Sequence, residues 1–183
     1  MRDKFSRIET ERLILREWTL ADISDTVEGL NNYDVTKYLP LIPFPYTEKD
    51  AEQFICNIEK PNNAKNLNFA VELKVTKKVI GGTSIRIDEN GNAEGGGIWI
   101  NPKYQGKGYG SEIWKARARF CFDVLKAKEI INGFLSDNEI SWKMQKKLGY
   151  KLRGDTKEVY CLARKCNVID IKTILKKEDF IEE

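Results

Sequence analysis

The chain has 183 residues, enough for one domain with a sizeable core, and we expect a single domain over residues 1–183. Its 31 basic and 28 acidic residues leave a net charge of +3, which is too mild to indicate a nucleic-acid partner. Histidine is absent, so Ser–His and Cys–His catalysis are excluded and we expect no metal site.

The cysteines and the apolar runs indicate the compartment. The four cysteines form no Cys-x-x-Cys pair, and Cys121 lies on a helical apolar pattern that favours a buried thiol. No signal-peptide pattern and no run of membrane-spanning length is present. We therefore expect a cytoplasmic protein without a membrane partner.

The first third of the chain reads as a strand followed by two helices. A strand is predicted over residues 13–15. Capping boxes at Thr19–Asp22 and Thr47–Asp50 predict helices that end near residues 30 and 59. Three prolines and several large apolar residues lie between them, in a predicted loop over residues 31–46. This loop either packs over the core or forms a wall of a substrate pocket.

Residues 69–100 predict an antiparallel meander. Strands are expected over residues 69–75, 79–88 and 97–100, with a bulge at Gly81–Gly82. An Asn-Gly turn signal within residues 89–92 predicts a hairpin into the third strand. Asn101-Pro102 ends that strand, because proline lacks an N–H and restricts the residue before it.

A glycine-rich turn follows this strand and leads into a helix expected from about Ser111. Glycines let a ligand approach the bare N–H groups, and a helix start adds unpaired donors and partial positive charge. Spacing excludes the dinucleotide-binding and Walker fingerprints. What remains is Gln-x-x-Gly-x-Gly, with Gln105, Gly108 and Gly110, and it indicates a loop for a phosphate-bearing cofactor.

The rest of the chain predicts a crossover onto a parallel neighbour. A helix is expected to about residue 126, a strand over 129–135, and a third capping box from Ser136 to Glu139. Gly149 is placed to end the helix that follows as its left-handed residue. Final strands are expected near 150–153 with 158–164, and over 168–175. Together these elements predict a mixed sheet with helices on both faces.

Four segments in this order resemble the GNAT superfamily of acyl-CoA N-acyltransferases, and in particular its ribosomal-protein N-terminal acetyltransferase branch. They are residues 8–16, residues 98–110, residues 138–150 and residues 170–180. The resemblance implies the GNAT fold, an α/β architecture whose mostly antiparallel sheet contains one splayed parallel strand pair. It also implies acetyl-CoA as cosubstrate, held in the gap between the two splayed strands.

The resemblance assigns cofactor contacts residue by residue. The backbone of Ile98, Trp99 and Ile100 would pair with pantetheine, whose arm would also bond Asn138. The pyrophosphate would lie on the loop residues Gln105, Gly106, Lys107, Gly108, Tyr109, Gly110 and Ser111. Plainer interpretations are a core side chain for Trp99, a solvated Lys107 and a simple helix-start residue for Asn138. A backbone N–H of the splayed strand would polarise the thioester carbonyl.

The expected catalytic groups depart from the family pattern. Gln145 stands where many members have a tyrosine acid, so Ser141 is the candidate for protonating the departing thiolate, or else a first-turn serine without a chemical role. Many members of the branch have glutamate where this chain has Gly95. Glu94 is one place earlier and on the other face of a regular strand. A bulge in the glycine run would restore it as a base that acts directly or through water, and otherwise Glu94 is an exposed hairpin residue without a chemical role.

The expected reaction is direct attack of an amine on acetyl-CoA within a ternary complex. The leading acceptor is a protein or peptide N-terminus, and the alternatives are a polyamine or an aminoglycoside. An acidic pocket for a polycation is offered by Asp34, Glu48, Asp50 and Glu52, which otherwise read as a solvated capping cluster. A non-catalytic acyl-CoA sensor is the alternative of another class. Dimers are common in the branch, so the resemblance allows a homodimer.

Overall fold

A computed structural model of the chain describes residue 5 and residues 7–58 and 62–182. The strands are β1 (Arg7–Glu9), β2 (Leu13–Arg16), β3 (Asn66–Leu73), β4 (Val79–Ile87), β5 (Ala93–Ile100), β6 (Glu129–Leu135), β7 (Lys151–Cys161) and β8 (Cys166–Lys176). The helices are α1 (Ile23–Leu30), α2 (Tyr33–Thr36), α3 (Glu48–Asn57), α4 (Tyr109–Arg119), which a π turn (Phe120–Val124) continues, and α5 (Glu139–Lys147).

The described strands form one sheet in the order β1-β2-β3-β4-β5-β6-β8-β7. Every neighbouring pair is antiparallel except β5 and β6, which run parallel because α4 returns the chain to the same end of the sheet. The predicted fold class, a mixed and mostly antiparallel sheet with one parallel pair, is confirmed.

Alternation along the strands gives the sheet two apolar faces. On β3, Phe69 packs into the core beneath α4, whereas the next residue, Ala70, packs into a second cluster with Trp18 and Ile55. Helix α5 lies on the α4 face, where Trp142 stacks on Phe134 with ring centroids 5.2 Å apart. Helices α1 and α3 cover the opposite face, as expected for helices on both sides.

Local signals in the sequence predict several elements correctly. Thr47 caps α3, and its N–H donates to Asp50 Oδ2 at 2.8 Å. The Thr19 capping box is also present, but it opens a 3-10 turn (Leu20–Asp22) that leads into α1, whose own N-cap is Asp22. Strand β6 has the predicted bounds. Gly149 adopts φ +95° at the end of α5, which confirms the predicted left-handed residue. The predicted end of α3 at Glu59 lies outside the described residues, and α3 itself ends at Asn57.

Other boundaries were predicted wrongly, for identifiable reasons. The predicted loop contains α2, because Asn32 Oδ1 accepts the Asp34 N–H at 2.9 Å and caps a helical turn. Asn138 caps α5 instead of Ser136, whose N–H is still paired with Ile169 O of β8 at 2.9 Å. Strand β1 was missed, and β7 is continuous where a break was expected.

The predicted bulge at Gly81–Gly82 lies one residue earlier. Val71 pairs with Gly81 and Glu72 with Val79, so Ile80 is the extra residue of β4. The glycines serve close approach instead: a Cβ at Gly82 would lie 2.7 Å from both the Trp18 and the Trp99 rings. None of the described helices is long and apolar enough to cross a membrane.

Candidate active site

Strands β5 and β6 separate soon after they meet. Their parallel pairing is limited to Ala93 with Ile130 and Glu94 with Ile131, although both strands continue beyond it. The edge of β5 from Gly95 onward therefore faces a gap that opens toward the glycine-rich loop. This is the splayed pair that the GNAT resemblance implies.

A bulge interrupts β5 at the closed end of this gap. Thr83 pairs with Ile98 and Ile85 with Gly95, so two residues, Gly96 and Gly97, oppose Ser84 alone. Gly95 faces α4, since a Cβ there would lie 3.0 Å from Arg117 Nη2. Gly97 faces the other side of the sheet, where its Cβ would lie 3.0 Å from Leu39. In a regular strand, residues two positions apart face the same side of the sheet, but Gly95 and Gly97 face opposite sides because of the bulge.

The bulge determines where Glu94 lies. Because Gly95 faces α4, Glu94 faces the opposite side, the same side as Gly97 and Leu39. The carboxylate is about half exposed and lies 4.0 Å from Arg86 on the neighbouring strand. The expected bulge is therefore present and places Glu94 on the same face of the sheet as Gly97, while the backbone of Glu94 belongs to the closed pairing with Ile131.

Beyond the bulge, the backbone of β5 presents polar groups to the gap. Asn101 N donates to Ile80 O of β4 at 2.8 Å, so ladder alternation directs the groups of Ile100 and Ile98 away from β4. Ile100 O accepts from Gln105 Nε2 at 2.8 Å, which fixes the loop against the strand end. The Trp99 ring stacks on Trp18, with centroids 6.4 Å apart, and is a core side chain. By the same alternation the backbone of Trp99 faces Gly82 of β4, so its expected contact with pantetheine is not supported.

The glycine-rich loop has backbone features typical of an anion cradle. Gly106 and Gly108 adopt φ +75° and +81°, conformations that cost side-chain-bearing residues about 1 kcal/mol or more. Helix α4 begins at Tyr109, two residues before the predicted start, and its first bond runs from Glu112 N to Gly108 O. The N–H groups of its first three residues therefore have no intrahelical acceptor. Lys107 is exposed, with Nζ 5.5 Å from the centroid of the Tyr104 ring.

Arg12 anchors this loop, a contact that the sequence did not reveal. Its Nη1 donates to Lys107 O at 2.9 Å, and its guanidinium lies 4.5 Å from the centroid of the Tyr109 ring. Glu112 holds Arg12 in place, accepting from its Nε at 2.7 Å and from its backbone N at 2.9 Å. Burial opposes ionisation of Glu112, but hydrogen bonds from Thr10 and Arg12 lower its pKa below the usual value.

Replacement of Arg12 by alanine is expected to raise the Kd for CoA about 5-fold, since the lost hydrogen bond contributes on the order of 1 kcal/mol to loop geometry. Isothermal titration with CoA measures the change. Arg7→Ala is the matched control, because Arg7 pairs with Glu9 and not with the loop. Equal affinity of the Arg12 variant and wild type would show that the anchor does not order the cradle.

The start of α5 lies across the gap from β5. Asn138 Oδ1 accepts the Ser141 N–H at 3.1 Å and caps the helix, so its Nδ2 remains the group able to bond a ligand amide. Asn138 and Ser141 are both half-buried. The plain helix-start role of Asn138 is therefore present, and it is compatible with the implied role in binding pantetheine.

Gln145, which stands at the position where a tyrosine acid was expected, is hydrogen-bonded to Ser141. It is fully buried and donates through Nε2 to Ser141 Oγ at 3.1 Å and to Gly133 O at 3.0 Å. Thr173 Oγ1 in turn donates to Gln145 Oε1 at 2.6 Å. Since the Ser141 hydroxyl accepts a bond from Gln145, its own proton is left to donate to another partner.

Tyr150 does not take the place of the missing acid. Its side chain is 3% exposed and packs edge-on against Trp114, with centroids 5.6 Å apart. Burial raises its pKa to about 12, which opposes formation of the phenolate. Cys121 is also buried, as predicted, and burial raises its pKa to about 12.

Three segments contact one another beside the cleft: an outer loop, a hairpin turn and the residues just before α5. The outer loop (residues 37–42) contacts the hairpin turn (residues 162–165), where Leu162 N donates to Pro40 O at 2.9 Å and Arg164 Nε donates to Lys37 O at 2.6 Å. Arg164 also pairs with Asp137, which precedes α5, at 2.7 Å and lowers the pKa of that carboxyl. The hairpin contribution was not evident from the sequence.

The loop over residues 31–46 packs over the core, as one of its two predicted roles requires, and one of its residues also reaches the cleft. Val35 and Tyr46 are buried in the cluster beneath α1, whereas Leu39 lies over Gly97 at the cleft. The neighbouring acidic residues have other partners: Asp50 completes the Thr47 capping box, and Asp34 pairs with Lys37 at 2.6 Å. These two carboxylates are thus used in local structure.

Comparison with known proteins supports the architecture. Residues 12–151 match the acetyltransferase (GNAT) domain family. The uncharacterized N-acetyltransferase YnaD of Bacillus subtilis (strain 168) is 32% identical over 147 residues, which cover 80% of this chain and 84% of YnaD. The structure of a GNAT-family acetyltransferase from Bacillus anthracis is 27% identical, with a TM-score of 0.78 over 94% of this chain and 99% of that chain.

Two further structures share the fold at lower identity. A Vibrio cholerae protein described as a ribosomal-protein-serine acetyltransferase is 23% identical, with a TM-score of 0.76 over 96% of this chain and 99% of its own. Spermidine N-acetyltransferase from Vibrio cholerae, solved with CoA and spermine, is 21% identical, with a TM-score of 0.74 over 93% of this chain and 98% of its own. The family match, the curated relative and the splayed strand pair agree, and the chain belongs to the GNAT family of N-acetyltransferases.

Proposed function

We propose that the protein transfers the acetyl group of acetyl-CoA to the N-terminal amine of a protein or peptide, by direct attack in a ternary complex. The observation that carries the proposal is the unpaired edge of β5, which runs from a closed strand pairing to a glycine-rich anion cradle. An extended pantetheine arm fits such an edge, and a pyrophosphate fits the cradle. We take residues 1–183 to act as one domain.

The cosubstrate contacts follow from this geometry. The backbone of Ile98 and Ile100 would pair with pantetheine, and Asn138 Nδ2 would donate to one of its amide oxygens. The first N–H groups of α4 and those of residues 106–108 would bind the pyrophosphate. Gln105, expected as a further contact, does not contribute its N–H, because that group is paired with Pro102 O at 3.2 Å. Lys107, exposed on the same loop, supplies positive charge near it.

The proposed chemistry includes two proton transfers: the attacking amine loses one proton, and the departing thiolate gains one. The amine nitrogen attacks the carbonyl carbon, the C–S bond breaks, and the amine gives up a proton, through water, to Glu94 on the open face. Ser141 would donate its hydroxyl proton to the departing thiolate, while Gln145 holds its oxygen at 3.1 Å. No covalent acyl-enzyme is needed, so both substrates must be bound together.

The acceptor assignment is supported by charge. A polyamine carries several positive charges and favours an acidic pocket, yet Asp34 and Asp50 are used by Lys37 and by the Thr47 cap. An N-terminal amine has a pKa of about 7.7–8.0, so a substantial fraction is neutral and nucleophilic near pH 7. The resemblance to the ribosomal-protein branch points the same way.

An acceptor panel tests the proposal. Thiol release from acetyl-CoA is expected with a peptide bearing a free N-terminus, and not with the same peptide blocked at its N-terminus but carrying an internal lysine. The rate should rise with pH and level off above about pH 8, because only the neutral amine attacks. Preference for spermidine or an aminoglycoside would contradict the acceptor assignment. Tight CoA binding without turnover on any amine would instead support an acyl-CoA sensor.

A further inference from the structure

Two of the cysteines lie directly opposite each other in the sheet. Cys161 ends β7, Cys166 begins β8, and the two are paired in the antiparallel register of the β7–β8 hairpin. The hairpin turn (residues 162–165) joins them. The other cysteines, Cys56 and Cys121, lie on α3 and on the π turn. The hairpin thus brings together two thiols that the proposed reaction does not use.

The pairing of Cys161 with Cys166 suits a disulfide bond. Directly opposed residues of an antiparallel pair have Cα atoms about 4.5 to 5.5 Å apart and side chains on the same face. A disulfide spans Cα separations of about 4.4 to 6.8 Å. The pair is the last of the ladder, and Lys165 N closes the turn by donating to Cys161 O at 2.8 Å. A small movement of the two strand ends is therefore enough to join the sulfurs.

The two thiols differ in exposure. Cys161 is fully buried, and its Sγ donates to Lys37 O of the outer loop at 3.7 Å. Cys166 is exposed at the start of β8. An exposed thiol is accessible to a soluble oxidant, and a second thiol beside it can displace the first adduct and complete a disulfide.

The buried thiol is also connected to the wall of the cleft. Lys37 O accepts from Cys161 Sγ and from Arg164 Nε, and the outer loop continues to Leu39 at the cleft. A disulfide sulfur carries no proton, so Cys161 cannot donate to Lys37 O once it is bonded to Cys166. Oxidation therefore removes one of the hydrogen bonds that hold the outer loop.

We propose that Cys161 and Cys166 form a reversible disulfide, which loosens the outer loop beside the cleft. The oxidant is a low-molecular-weight disulfide such as glutathione disulfide. The Cys166 thiolate attacks one sulfur of the oxidant, whose S–S bond breaks, and one thiol leaves. The Cys161 thiolate then attacks the Cys166 sulfur and displaces the second thiol. The protein thereby loses two protons and two electrons, which the oxidant takes up. This site goes beyond the proposed function and does not depend on it.

Tryptic digestion tests for the disulfide. Trypsin cleaves after Arg164 and Lys165, which lie between the two cysteines, so only a disulfide keeps peptides 158–164 and 166–172 joined. The folded protein is treated with glutathione disulfide, the remaining thiols are blocked with iodoacetamide, and the digest is analysed by mass spectrometry. We expect the joined peptides from a monomeric protein, and we expect reductant to separate them.

A variant with one thiol shifted along β8 is the matched control. Cys166→Ser combined with Asn167→Cys retains the number of thiols but moves one of them to the other face of the strand. Asn167 is opposite Tyr160 and not opposite Cys161. We expect no joined peptides from this variant under the same treatment.

Hydrogen exchange measures the effect on the outer loop. Exchange in residues 37–42 should become about threefold faster on oxidation, because a weak bond to Lys37 O is lost. The same treatment should leave exchange unchanged in Cys166→Ser. That variant keeps Cys161 against Lys37 and cannot form the disulfide.

The outcomes separate the disulfide from its effect and from the proposed function. A glutathione adduct that persists on Cys166, a dimer linked through Cys166, or joined peptides from the shifted-thiol variant would overturn the disulfide. Joined peptides with unchanged exchange in residues 37–42 would overturn the effect on the outer loop. Neither measurement requires acetyl transfer, so both results hold whether or not the acceptor panel shows turnover.

Discussion

Replacing Ser141 by alanine is expected to lower kcat about 100-fold, the usual effect of removing a general acid. The hydroxyl accepts from Gln145 Nε2 at 3.1 Å, which orients its proton for donation to another group. The thiolate of CoA is the group that needs a proton as the C–S bond breaks. The Kd for acetyl-CoA should remain within about twofold, since the loop and β5 contacts are untouched.

Steady-state kinetics measure kcat, and titration with acetyl-CoA measures Kd, so together they test whether only kcat changes. Ser136→Ala is the matched control. Ser136 is exposed in the same turn, and its structural contact is a backbone bond to Ile169 O that alanine retains. We expect wild-type kcat from the control. An unchanged kcat in the Ser141 variant would return Ser141 to a first-turn serine without a chemical role. A large rise in Kd at constant kcat would assign it to binding.

Replacing Gly149 by alanine should destabilise the protein by roughly 3 to 5 kcal/mol, the combined cost of backbone strain and steric overlap. Gly149 has φ +95°, and an added Cβ would lie 1.8 Å from the Asp179 carbonyl oxygen. A backbone atom cannot swing aside as a side chain can. The residue also ends α5, the helix that begins with Asn138 and Ser141, so function should fail with stability.

Thermal unfolding measures this effect, and Gly154→Ala is its control. Gly154 has φ +97° but nothing within 4 Å of an added Cβ, so its substitution isolates the backbone strain. We expect a fall in Tm of about 10 °C for Gly149→Ala and only a few degrees for Gly154→Ala. Equal shifts would mean that the Asp179 contact adds nothing to the cost.

The sequence predicts those parts of the fold whose signals are local. The Thr19 and Thr47 caps, the left-handed Gly149 and the glycine-rich loop each depend on a few adjacent residues, and the structure contains all of them. Strand β1 could not be predicted in this way. It is three residues long, and its pairing with β2 is what makes it a strand.

The backbone segments of the candidate site were predictable from the sequence, whereas the side-chain contacts that hold them in place were not. Arg12 and Glu112 are 100 residues apart, and only folding brings them together. Arg117 read as one of the polar residues between apolar helix positions, whereas it is buried beneath β5. The absence of the usual tyrosine was visible, but the bond from Gln145 to Ser141 depends on the turn geometry of α5.

The central claim is that both substrates occupy the splayed cleft at once and that acetyl passes directly between them. Initial rates of CoA release, measured over a grid of acetyl-CoA and free N-terminal peptide concentrations, test it most directly. The account predicts intersecting double-reciprocal lines and one acetylated N-terminus for each CoA released. Parallel lines, which indicate a covalent acyl-enzyme, or CoA release without acetylated peptide, would contradict it.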